Sequence, residues 1–283
     1  MTDQASKPLA NRTVIMSGGS RGIGLEIAKR AAADGANITL IAKTDKPHPK
    51  LPGTIHTAAA ELEAAGGTVL PFVGDVREDE QVAAAVRQTV ERFGGIDIVV
   101  NNASAIDLSP TEAISMKKYD LMQDINCRGS FLLSKLSIAA LRESAAAGRN
   151  PHILTLSPPL NLDPKWAGGS LGYTIAKYGM SLTTLGLAEE LKDAGIAVNS
   201  LWPRTTIATA AVRNLLGGEE MVATSRTPDI YADAAYLVLT SPAKETTGNF
   251  FLDDEVLAAH GITDLEKYRV VPGDGPLTTD LFL

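Results

Sequence analysis

The chain has 283 residues, a hydrophobic fraction of 45% and a net charge of −7. That acidic balance opposes non-specific nucleic-acid binding, and there is no lysine or arginine run to track a phosphate backbone. A single cysteine, Cys127, allows no internal disulfide, and His48, His56, His152 and His260 lack the spacing of a metal site.

At the amino end, MTDQASKPLANR has no apolar core of a signal peptide, and no apolar run approaches the roughly 20 residues needed to cross a bilayer. A soluble cytoplasmic protein without metal or membrane contact is expected. The run Thr13 to Met16 reads as a strand that meets a glycine-rich turn, after which Ile23, Ile27, Ala28 and Ala31 fall at helical spacing. The pattern repeats along the chain. Asn37 to Ala42, Thr68 to Val73, Ile96 to Val100, His152 to Leu156 and Ile196 to Leu201 read as buried strands separated by alanine-rich helices, with a last strand near Phe250 to Asp253. Continuous apolar strands alternating with helices predict an α/β fold, a doubly wound parallel sheet of Rossmann type in three layers. One domain over 1–283 is expected, with a tail from about 261 to 283 where PGDGP resists regular structure.

Such sheets bind ligands at the carboxyl ends of their strands. The first of these ends carries Ser17-Gly18-Gly19-Ser20-Arg21-Gly22-Ile23-Gly24, a loop that lets backbone approach a pyrophosphate at a helix N-terminus. NAD-binding folds place a carboxylate at the end of the second strand to hold the ribose hydroxyls. Here that strand ends in Ala42-Lys43-Thr44, so Lys43 and Arg21 point to a 2′-phosphate and to NADP(H).

Further on, Tyr173-Thr174-Ile175-Ala176-Lys177 sets a phenol and an ammonium four residues apart, on one face of a helix. An adjacent ammonium favours the phenolate, so the pair suits proton exchange with a substrate oxygen.

Taken with Asp75-Val76, Asn101-Asn102-Ala103-Ser104, Asn126, Ser157 and Val198-Asn199 through Pro203, these residues resemble the short-chain dehydrogenase/reductase family over most of the chain. The resemblance implies that Asp75, with Val76 beside it, contacts the adenine, that Asn102 supports the cofactor side, that Lys177 also binds the nicotinamide ribose, and that Tyr173 too lies against the cofactor. It implies further that Asn126 holds a water for proton relay, and it makes a homodimer or homotetramer the default. The family places its serine about thirteen residues before the tyrosine, a slot filled here by Leu160. Ser157, sixteen residues before Tyr173 at the end of an apolar run, is expected to hold the substrate oxygen, with Ser170 as its rival. Ser104 and Arg204 stand where the family has glycine, and Asp253-Asp254-Glu255 replaces its usual Asp-Gly-Gly.

A narrower group within the family shares Ala42-Lys43-Thr44 with Pro47-His48-Pro49-Lys50, Ser157 through Leu162, and Leu201-Trp202-Pro203. Some of its members carry a C-terminal sterol-carrier domain, which is not expected here. Leu160, Trp166, Trp202 and Ile207, together with Leu162, follow strands where substrate should enter and suggest an apolar carbonyl or alcohol of acyl or ring-containing type. A non-catalytic NADP sensor on the same fold is the main alternative, and a lipid carrier a weaker one.

Overall fold

The computed structural model describes residues 7–47 and 53–283, so His48-Pro49-Lys50 of the narrower resemblance lies outside the described residues. Strands β1 (Thr13–Ser17), β2 (Asn37–Ala42), β3 (Thr68–Val73), β4 (Ile98–Asn101), β5 (His152–Thr155), β6 (Ala197–Trp202) and β7 (Phe250–Leu252) form a single sheet. Its order is β3-β2-β1-β4-β5-β6-β7 and every pairing is parallel. Register follows the apolar runs, with Met16 lying between Leu40 and Val100.

The helices are α1 (Gly22–Ala32), α2 (Ile55–Ala64), α3 (Asp79–Phe93), α4 (Met116–Met122), α5 (Gly129–Ala146), α6 (Pro164–Gly169), α7 (Leu171–Leu191), α8 (Gly218–Ala223), α9 (Asp229–Thr240) and α10 (Asp253–Ala259). Alternating strand residues sort them into two outer layers. Val14, Met16, Ile38, Leu40 and Val100 face a core shared with Ile27 of α1, Leu62 of α2, Ile230 of α9 and Leu257 of α10. Ile15, Ile41, Val99 and Ile153 face the other, with Val82 of α3, Leu141 of α5 and Leu187 of α7. The result is the expected three-layer Rossmann arrangement. The order of strand addition reverses at β1, with β2 and β3 laid on one side and β4 to β7 on the other, which opens a crevice at the carboxyl ends of β1 and β4.

Three local details differ from expectation. Ile96 and Asp97 precede β4 because the Asp97 carboxylate turns back to the Thr13 amide (2.8 Å), Ser144 (2.6 Å) and Arg149 (2.7 Å). Asp253-Asp254-Glu255 do not end β7 but begin α10, where carboxylates suit the positive end of the helix dipole. The stretch after Gly261 has only a short 3-10 turn at Glu266–Tyr268 and isolated bridges, yet it is not loose. Tyr268 and Phe282 are each 2% exposed, and the last residues run back over the sheet's carboxyl edge.

Between α4 and α5 the helix widens into a π turn at Gln123–Arg128. Cys127 of this turn lies where a Cβ on Gly179 would come within 2.5 Å of its sulfur, so only glycine lets α7 approach this closely. The wide turn thereby carries Asn126 beneath the crevice.

Candidate active site

A cleft of about 1160 Å³ runs along the carboxyl ends of the strands, from the glycine turn to Tyr173. Gly18 has φ +76, and a side chain there would strike Ala103 Cα at 2.9 Å. Asn102 Nδ2 pins the turn by donating to the carbonyls of Ser17 (3.0 Å) and Gly18 (2.9 Å). A Cβ on Gly24 would meet that same nitrogen at 2.5 Å, so glycine at 24 is what lets α1 pack against the turn. Helix α1 starts at Gly22 without a side-chain cap, leaving its first amides to face the cleft. An uncapped helix end under a glycine turn fits a pyrophosphate.

Of the residues expected at this end, Gly18, Ser20, Arg21, Gly22, Ile23 and Asn102 line the cleft, whereas Ser17, Gly19 and Gly24 do not. Their place is in the scaffold. The Ser17 hydroxyl accepts the amides of Asn102 (3.2 Å) and Ala103 (3.1 Å), and Gly19 sits tight under Leu40 and Met16.

Where β2 ends, Lys43, Thr44, Asp75 and Val76 continue the wall. Lys43 Nζ lies 3.1 Å from Asp75, and Arg77 reaches the same carboxylate at 2.6 Å. Burial opposes ionisation of Asp75, but the hydrogen bonds from Arg77 and Lys43 prevail and hold its carboxyl at about 2. Arg21 donates to Thr44 Oγ1 at 2.8 Å. Arg77 escaped the sequence reading because a cation two residues after an acid is ordinary on any surface.

At the other end, Tyr173 and Lys177 stand one turn apart on α7, 4% and 3% exposed, and both reach the cleft. Burial, with Asp280 nearby, raises the Tyr173 phenol above its ordinary value. Burial likewise pulls Lys177 down to about 7, with Asp280 acting against the fall. Lys177 Nζ donates to the Leu156 carbonyl at 2.9 Å, which ties it to the end of β5. The Asn126 side chain is spent on Ala105, accepting its amide at 2.7 Å and donating to its carbonyl at 3.0 Å.

Ser157 is placed differently from expectation. It is fully buried, its hydroxyl bonds Ser200 Oγ at 2.8 Å, and Ser200 in turn bonds Thr184 at 2.9 Å. The chain turns just past β5, where the Ser157 amide donates to the Thr155 carbonyl at 3.0 Å, so Leu156 lines the cleft and the Ser157 hydroxyl goes to Ser200 of β6. The rival Ser170 does not line the cleft either.

Trp202 and Ile207 line the cleft, but Leu160, Leu162 and Trp166 do not, and Leu162 is 85% exposed. Trp166 instead joins Tyr173, Tyr178 and Trp202 around Phe282, with ring centroids 5.3 to 6.2 Å from it. The tail is fastened there. Trp202 Nε1 donates to the Leu281 carbonyl (2.9 Å), Asn161 Nδ2 to the Phe282 carbonyl (3.0 Å), and the Asp280 amide to the Arg204 carbonyl (3.0 Å). Asp280 and Leu281 thus form part of the cleft wall. Nothing in the local sequence announced them.

Among the described residues, no helix is long and apolar enough to cross a membrane, and no group of three or more His, Cys, Asp or Glu could hold a metal ion.

The family model for short chain dehydrogenases matches residues 12–219. Hydroxysteroid dehydrogenase-like protein 2 of Xenopus tropicalis is 56% identical over 97% of this chain, and that of Homo sapiens 52% over 97%. The chain spans about 64% of the length of these curated relatives. Among solved structures, a short chain dehydrogenase from Mycobacterium thermoresistibile is 59% identical, with a TM-score of 0.90 over 96% of this chain and 95% of its own.

Proposed function

The chain belongs to the short-chain dehydrogenase family of nicotinamide-dependent oxidoreductases, and on that premise we propose that it uses NADP(H) to interconvert a carbonyl and an alcohol on a small apolar substrate. The observation that carries this reading is the pairing of Tyr173 with Lys177 in the same cleft as the uncapped start of α1. Gly18, Ser20, Gly22, Ile23 and Asn102 would hold the cofactor's pyrophosphate side, with Asp75 and Val76 near the adenine.

When bound, the nicotinamide supplies or takes up the hydride at the substrate carbon. In the reductive direction the substrate oxygen rests against the Tyr173 hydroxyl, and Tyr173 gives it a proton as the C=O bond becomes CH–OH. Lys177, held by the Leu156 carbonyl, sets the charge beside the phenol. Ile106, Trp202, Ile207 and Leu281 give this end of the cleft its apolar walls.

Preference for NADP(H) rests on Lys43 at the end of β2, where an NAD-binding fold would place an acid, and on Arg21 of the glycine turn, which reaches across to Thr44. Lys43 keeps two donors beyond its bond to Asp75, enough to meet a 2′-phosphate. Self-association is supported by a stripe of exposed apolar residues on α7, Leu171, Ile175, Leu182 and Leu185, with Phe131 exposed on α5. The free thiol of Cys127 suits a reducing cytoplasm.

The test is oxidation of NADPH with a panel of aliphatic and ring-containing aldehydes and ketones, followed by its absorbance. Consumption with NADPH in preference to NADH supports the proposal. Binding of NADPH without consumption by any of the panel favours the sensor reading instead.

A further inference from the structure

Carbonyl reduction by a single phenol leaves the second lone pair of the developing alkoxide without a donor. Catalytic sites commonly supply more than one, because a donor aimed at that oxygen stabilises charge only where it forms. No serine at the end of β5 serves here, since Ser157 is bound inward to Ser200. The reacting end of the cleft holds Tyr173, Lys177, Tyr231, Ser104 and Asp280 as polar neighbours. Lys177 donates to the Leu156 carbonyl and toward Met180 Sδ, and in the proposed function its charge serves the Tyr173 phenol, while the Tyr231 hydroxyl donates to the Leu201 carbonyl. Asp280 and Ser104 remain.

We propose that the Asp280 carboxyl, carried in on the tail, donates the second hydrogen bond to the substrate oxygen beside Tyr173. This rests on the oxidoreductase reading above. Three features place Asp280 for the task. Its backbone is fixed to Arg204 on one side and, through Leu281, to the Trp202 indole on the other. Phe282, two residues on, lies over the Tyr173 ring with centroids 6.2 Å apart, which brings the tail to the phenol. Finally, Asp280 Oδ1 accepts the Leu281 amide at 2.7 Å, which leaves Oδ2 to carry a proton.

The acid form is accessible at neutral pH. Burial raises the Asp280 carboxyl to about 7, and the Asp253 carboxylate adds to the rise while the Leu281 amide and Lys177 oppose it. A buried carboxylic acid kept protonated so that it can donate is a known solution to alkoxide stabilisation. In this step Asp280 keeps its proton; the transferred proton is that of Tyr173. Ser104 is the weaker candidate, since it follows β4 and is exposed, with none of the tail's fastening.

The experiment uses the full chain with NADPH and whichever carbonyl of the panel the wild type reduces best. Asp280→Asn and Asp280→Leu match aspartate in size and branching, but only asparagine can donate. Asp280→Leu is expected to lose roughly 10²–10³-fold in kcat, the usual cost of removing one such donor, while Asp280→Asn stays within about tenfold of wild type. Thermal melting and tryptophan emission, read through Trp166 and Trp202 against the tail, check that both variants keep the tail seated. A Leu variant with near-normal kcat overturns the proposal, as does an Asn variant as impaired as Leu, or an equal loss in Ser104→Ala with Asp280→Leu unaffected. If the Leu variant unseats the tail, the Asn variant with its tail seated decides: impaired, it overturns the proposal, and active, it supports it. Wild-type NADPH consumption in the same assay separates failure of this proposal from failure of the oxidoreductase reading.

Discussion

The two ends of the cleft are built in opposite ways. At the cofactor end, the place for the pyrophosphate comes from one loop of consecutive residues, Ser17 to Gly24, in which Gly18 and Ser20 to Ile23 line the cleft and the others support them, and a single distant residue, Asn102, locks it. At the reacting end, Tyr173 and Lys177 come from α7, Leu156 from the turn after β5, Trp202 from β6, and Asp280 and Leu281 from the far end of the chain. A pyrophosphate demands a particular backbone path, and such a path must be written in neighbouring residues. A substrate oxygen demands a few side chains at one point, which any fold can collect from anywhere.

That contrast is open to direct attack. The largest effect should come from Tyr173→Phe, with turnover lower by roughly 10²–10⁴-fold, the range for a lost general acid. NADPH affinity, measured by titration, should stay near wild type; its collapse would mean that the two ends are not separable. Next in size is Gly24→Ala. Its Cβ would stand 2.5 Å from Asn102 Nδ2, so the lock on the turn must shift. A misfit of this kind costs about 1–3 kcal/mol, expected here as NADPH binding weakened by tenfold or more while Tyr173 keeps its place.

Lys43→Ala should act only at the cofactor end, lowering the preference for NADPH over NADH by about tenfold through a lost charged hydrogen bond. An unchanged preference in competition binding would remove Lys43 from 2′-phosphate recognition. Ser157→Ala should have the smallest effect on chemistry. Its hydroxyl is tied to Ser200, which in turn donates to Thr184, so the loss should read as about 1 kcal/mol of stability in a denaturant melt, with turnover close to wild type. A drop of orders of magnitude would return Ser157 to the substrate.

The parts legible in the sequence were those whose spacing geometry dictates. Tyr173 and Lys177 stand one helical turn apart, and the glycines sit where the turn needs φ +76 at Gly18 or close packing at Gly24. The buried strands were legible as apolar runs, because both faces of the sheet are covered. Ser157 does not reach the cleft because β5 stops at Thr155, one residue short of the apolar run, and the chain turns at Leu156, with the Ser157 amide donating to the Thr155 carbonyl at 3.0 Å; Leu156 lines the cleft instead. Trp166 was placed near the reacting end, though it meets Phe282 rather than the cleft. The tail was opaque for a different reason. PGDGP and the residues after it have neither helical nor strand period, and their position is set by contacts with Trp202, Asn161 and Arg204 that lie far away in sequence.

Isotope transfer tests the central claim most directly. NADPH carrying deuterium at the transferable position of its nicotinamide is supplied with the aldehyde or ketone that the wild type reduces best, and the product is examined by mass spectrometry and NMR. Deuterium on the former carbonyl carbon, largely lost in Tyr173→Phe under the same conditions, is the result expected of hydride transfer with Tyr173 as proton donor. Wild-type protein that binds NADPH yet yields no deuterated alcohol from any member of the panel, or a Tyr173→Phe variant that transfers deuterium at the wild-type rate, would contradict it.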